Sequence, residues 1–242
     1  MIDQIEGLLK KIYSLVPYND ISLSITAFFH PEEVLAKNAK KLSLSNAAKI
    51  LAVAGLIYAV AFAINYIANT VVSGVFGTVL GGANGAVSGA VNIVGAVIFA
   101  AILLVLIPIF AVIGEFILSA IYFVFAKLLG GKGTYAAQTN MLAYITSTFY
   151  LISAPATIIQ IVPCLGAVVG GIIIFAGSIY QLYASYKTIK AVHQLSGIKA
   201  GLVIILPIIL VVILAIIAVV LLGAVFLTTA MAALASGGAG NF

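Results

Sequence analysis

Glu115 is the side chain with the most chemistry to offer in this 242-residue sequence. It is the only acid after Glu33, it sits in a long apolar run, and it precedes Lys127 by twelve residues, about 18 Å along an α-helix. If that run crosses a bilayer, the carboxyl lies near the midplane. A charge is costly there, and such groups face the protein interior, paired or neutral. Pro108, Ser119 and Tyr122 stand seven, four and seven residues away and share its helical face. Glu115, Ser119 and Tyr122 therefore form a candidate intramembrane polar site for an ion, a proton or a lipid head group. The competing reading is structural, a Glu hydrogen-bonded to a neighbouring helix.

No catalytic set assembles around it. The sequence has no Gly-x-Ser-x-Gly elbow, and His30 and His193 fall in segments expected to face water. Intramembrane proteolysis or lipid transfer would need paired acids, or a Ser with a base, inside the spans. The lone Cys164 excludes an internal disulfide, and the Cys and His lack the spacing of a metal site. Neither a metal nor a cofactor is expected, and the chain reads as a non-enzyme. The run Gly131 to Ala136 fits a loose dinucleotide pattern, but it follows an apolar helix where a phosphate loop needs a strand. It reads as a tight turn with Lys132 toward lipid phosphates. Lys37, Lys40, Lys41, Lys132, Lys190 and His193 are the candidate contacts for a partner or for lipid head groups.

Composition dictates the elements that must hold these residues. The chain is 64% hydrophobic and 7% charged, against about a quarter charged in a soluble domain, and its mean hydropathy is +1.30. It is an integral membrane protein by this measure. Eleven Lys, no Arg and six acids are too few for a nucleic-acid groove. Residues 1–49 carry five of the six acids and six of the Lys, and read as a cytoplasmic amphipathic region. Ile2, Ile5, Leu8, Leu9, Ile12, Leu15 and Val16 recur at helical spacing up to Pro17. A second helix is expected from Pro31, with Glu32 and Glu33 in its first turn and Lys37, Lys40 and Lys41 toward its end. Neither a signal peptide nor a lipidation motif is expected.

A span needs roughly 20 apolar residues, and five stretches qualify, at about 50–72, 93–126, 141–161, 165–186 and 201–226. They predict an all-α bundle of five transmembrane helices over 50–227 with a short external tail, 228–242. Gly77, Gly81, Gly85 and Gly89 recur every fourth residue in 73–92, a stripe that permits close helix contact. Five spans place all eleven Lys on one side, whereas a sixth over 73–92 would divide them against the positive-inside rule. That stretch is therefore expected to be an outer re-entrant or interfacial helix. The N-terminus falls in the cytoplasm and the C-terminus outside the cell membrane. Asn65 and Asn69 share a face and can bond across helices, and Gly166 and Gly170 let a neighbour approach closely.

The order of several short motifs resembles the Yip1 domain family. They are Phe28-Phe29-His30-Pro31-Glu32-Glu33-Val34, the run Ala126 to Tyr135 leading to Thr139, Ala154-Pro155, Val162-Pro163 with Gly166, and Val192-His193-Gln194-Leu195-Ser196 before Lys199-Ala200. The resemblance spans 27–222 and implies a five-span protein with a cytoplasmic N-terminal region. For eukaryotic relatives it implies vesicle traffic and association with prenylated Rab-type GTPases. The Asp-Leu-Tyr-Gly-Pro signature of those relatives is missing, so the chain is more similar to a prokaryotic, archaeal branch.

The expectation is a non-enzymatic membrane adaptor or organiser, in contact with membrane lipids, with a membrane or GTPase-type protein partner on the cytoplasmic side. Self-association through the glycine faces is also open. The alternative is a small transporter, channel or lipid-moving protein using the Glu115 stripe. An adaptor would be most sensitive at Lys37, Lys40 or Lys132, a transporter at Glu115, Ser119 and Tyr122.

Overall fold

A computed structural model describes residues 18–38 and 43–237. The helix expected over 2–16, together with Lys10, Lys11, Lys40 and Lys41, lies outside the described residues. Six helices and no strand are present among those described: α1 (Tyr18–Phe29), α2 (Pro31–Asn38), α3 (Leu44–Leu128), α4 (Tyr135–Ile159), α5 (Leu165–His193) and α6 (Gly197–Gly237).

Local sequence explains where they start and stop. Pro31, with its fixed φ, opens α2, and Glu32 and Glu33 follow at the positive end of its dipole. Hydrogen bonding from Lys37 holds the Glu33 carboxyl below its usual range. The support this pair lends α2 is therefore present near neutrality and is lost as pH falls through that lowered value. Ser43 and Thr134 cap α3 and α4 by accepting from the backbone N–H of Asn46 and Ala137, as hydroxyl N-caps do. Gln194, left-handed at φ 54°, ends α5.

α3 is two helices in one. At Gly82 the backbone takes φ 59° and ψ −141°, a conformation that glycine adopts without penalty, and the chain turns back on itself. The outgoing arm, Leu44–Gly82, and the return arm, Ala86–Leu128, touch in register about that point. Gly74 meets Gly89, the Tyr66 and Phe99 rings lie 5.3 Å apart, and Gly55 abuts Pro108 and Ala111. The stretch 73–92, expected to be an outer re-entrant or interfacial helix, is the tip of a helical hairpin that reverses at Gly82. The arms, of 39 and 43 residues, extend about 58 and 64 Å, roughly twice the hydrocarbon thickness. Of the four-residue glycine stripe, Gly89 packs on Gly74, which lies outside the stripe, whereas Gly77 and Gly81 have no neighbour where a Cβ would stand.

Five helices are long and apolar enough to cross a membrane: the two arms, α4, α5 and the first part of α6. Their count matches the expectation, though the first begins at Leu44 and the two arms run on through the Gly-rich stretch. α4 is the most enclosed, with Gln138 to Thr148 buried without a break. α1 is part of the bundle too, because Ala27 and Phe28 are buried among Met141, Tyr144, Ile145 and Ala184. Lys49, Lys127, Lys187, Lys190 and Lys199 all fall at the helix ends that gather beside α1 and α2.

Candidate functional site

The return arm of α3, α4 and α5 meet along a buried polar seam. Glu115 is 7% exposed, and its Oε2 accepts a 2.8 Å hydrogen bond from Thr146 Oγ1. Gln181 Nε2 donates in turn to Thr146 Oγ1 at 2.9 Å. One hydroxyl thus joins an acid of α3 to an amide of α5 through α4. These three side chains, with Phe110, Ala111, Gly114, Leu118, Phe149 and Tyr150, line a cavity of about 240 Å³.

A second set lies one turn toward the lysine-bearing end. Ser119 Oγ and Thr139 Oγ1 are 2.6 Å apart, and Gln138 Nε2 donates to the Ser119 carbonyl at 2.7 Å. That bond orients the amide, so Gln138 Oε1 accepts from His193 Nε2 at 2.7 Å, and the imidazole carries its proton on Nε2. His193 is wholly buried, against the Phe123 ring, with Nδ1 unpartnered among the described residues.

The expected surface role of His193 is therefore corrected. Flanking lysines suggested water, but α5 continues to His193 and turns only at Gln194, which tucks the ring beneath the loop after α3. That loop is fastened by Lys132 N–H to His193 O at 3.1 Å and by Lys199 Nζ to Leu129 O at 3.0 Å. It is so close that a Cβ on Gly131 would lie 2.7 Å from His193 Nδ1, and one on Gly133 2.6 Å from Val192 O.

The stripe expected along α3 divides. Glu115 belongs to the first set and Ser119 to the second, while Tyr122 packs in an apolar cluster with Ala126, Leu142, Ile189 and Val203. Pairing of Glu115 with Thr146, and of Ser119 with Gln138, runs between helices and leaves no periodic trace in the sequence. The one visible signal is the polar group Gln138, Thr139 and Thr146 inside an apolar span.

Asn65 Nδ2 donates to Thr157 O at 2.8 Å, tying the outgoing arm to α4, and Asn69 bonds back onto Asn65. Asn65→Ala is expected to cost about 0.6–2 kcal/mol, read as a lower midpoint of unfolding in mixed micelles. Gly166 and Gly170 sit against the backbone oxygens of Ile159 and Ala156, where α4 and α5 join. On the lysine-bearing end, Lys37 pairs with Glu33, Lys187 reaches Glu32 at 3.2 Å, Lys190 is half-buried and Lys132 is exposed.

The Yip1 domain model matches residues 25–220, about four-fifths of the chain. The chain belongs to the Yip1 domain family. No curated protein and no solved structure matches it. The Yip1 domain takes in the whole polar seam and the loop beneath which His193 is buried, and it opens inside α1. This family member is a multi-span helical membrane protein.

Proposed function

We propose that the protein is a non-enzymatic adaptor or organiser of the cell membrane, with its lysine-bearing end in the cytoplasm and the tip of its α3 hairpin outside. The observation that carries this reading is the way its interior polar groups are used. Gln138, Ser119, Thr139 and His193 bond to one another, and the loop 129–134 is fastened over them by Lys132 N–H to the His193 carbonyl and by Lys199 to the Leu129 carbonyl. Lys187 and Tyr180 hold α1 and α2 across to the same end, through Glu32 and the Phe29 carbonyl. Buried hydrogen bonds spent in this way fix a surface. That surface presents Lys132, Lys127 and Lys199 to water, as a platform for an acidic protein partner needs. The positive-inside rule supports the orientation, and family membership supports a role in membrane organisation of the trafficking type.

The transporter reading makes an opposed prediction. In proteoliposomes the adaptor is expected to give ion flux and lipid scrambling no faster than empty vesicles, with Glu115→Gln indistinguishable from wild type. Flux above that baseline, lost in Glu115→Gln, would replace the adaptor with a transporter.

A further inference from the structure

The Glu115 carboxyl is only half used. Thr146 donates to Oε2, whereas Oε1 has no hydrogen-bond partner among the described residues, and the carboxyl lines a cavity walled by Phe110, Phe149 and Tyr150. The cavity opens on the lipid-facing side of the return arm, where Phe110, Gly114 and Leu118 are exposed in successive turns. A Cβ on Gly114 would meet nothing within 4 Å, so this ridge is notched at the level of the acid. Small residues of that kind let a second helix come close in a membrane, and polar groups hold it there.

A carboxylate among aromatic faces recognises a cation: the acid supplies charge-assisted hydrogen bonds and the rings supply cation–π attraction. Among its described residues, a second copy of this chain brings none to that depth. It has no Arg, and every Lys of α3 to α6 lies in the first or last two turns of its helix, at the end beside α1 and α2. We propose that the Glu115 cavity receives an Arg or Lys side chain from a transmembrane helix of another protein, with the partner backbone seated over Gly114. Pairing neutralises two charges that would each be costly in hydrocarbon. The proposal rests on the adaptor reading and gives that reading a second partner surface, inside the membrane.

The test uses the full-length protein in vesicles, with a dye on its single, exposed Cys164, and energy transfer from labelled Leu/Ala peptides of about 20 residues. One peptide carries a central Arg and the other a central Leu. The Arg peptide is expected to associate about tenfold more tightly. Glu115→Gln should abolish the preference, and Gly114→Ile, at a site with room for a side chain, should weaken binding of the Arg peptide while leaving the fold intact. Equal association of the two peptides, a preference that survives Glu115→Gln, or Arg-peptide binding unchanged by Gly114→Ile would overturn the proposal. So would Glu115-dependent binding of dodecylammonium without any preference for the Arg peptide, which would mark the cavity as an amphiphile site. If the Arg preference holds while native membranes yield no protein partner, the adaptor reading falls and the cation pocket stands.

Discussion

Gly166→Leu is expected to destabilise the bundle by about 3 kcal/mol, at the upper end of the range for overpacking, and Gly170→Leu by a similar amount. A Cβ at Gly166 would lie 2.1 Å from the Ile159 carbonyl oxygen and one at Gly170 2.4 Å from that of Ala156. Backbone oxygens cannot rotate away as a flexible side chain can, so α4 and α5 must separate at their shared turn. Gly77→Ala and Gly81→Ala are the contrast, since neither position has a neighbour within 4 Å. In a helix interior those changes are expected to be neutral or stabilising by about 0.5–1 kcal/mol. Unfolding in mixed micelles ranks the four variants. Equal destabilisation at 77 and 166 would mean that the hairpin tip is packed against something and that its glycines are not free.

Gln138→Leu is the second large effect. It keeps the side-chain volume near α3 but strands the Nε2–H of a wholly buried imidazole, at about 1–3 kcal/mol for an unpaired buried donor. The consequence extends to the surface, because the loop carrying Lys132 is fastened to the backbone of the same His193. Hydrogen exchange of residues 129–134 should accelerate in Gln138→Leu. His193→Phe is expected to cost less when combined with Gln138→Leu than alone, with a coupling of about 0.5–3 kcal/mol. Strict additivity would show that the two side chains do not act as a pair.

These effects show which parts of the molecule its sequence discloses. Five apolar runs, the helix start at Pro31 and Lys at one set of helix ends follow from hydrophobicity and charge along the chain, and the structure has them, with the first two spans longer than the runs alone indicate. Glu115 stood out because an acid in such a run has no innocent place. Its partners Thr146 and Gln181 did not, since a contact between helices depends on rotation and depth, which spacing along one helix does not encode. His193 misled for a related reason: Lys190 and Lys199 made its neighbourhood look wet, whereas the fold places the ring beneath a loop from sixty residues earlier. Gly82 is one glycine among 23, and only its positive φ distinguishes the residue that reverses α3 from those that leave it straight.

The central claim is that the lysine-bearing end is a platform for a protein partner. Photocrosslinking in native membranes from Lys37 and Lys132, followed by mass spectrometry, tests it most directly. The account predicts one stoichiometric protein adduct at these positions, diminished by Lys132→Glu. Recovery of self-crosslinks and lipid alone would contradict it.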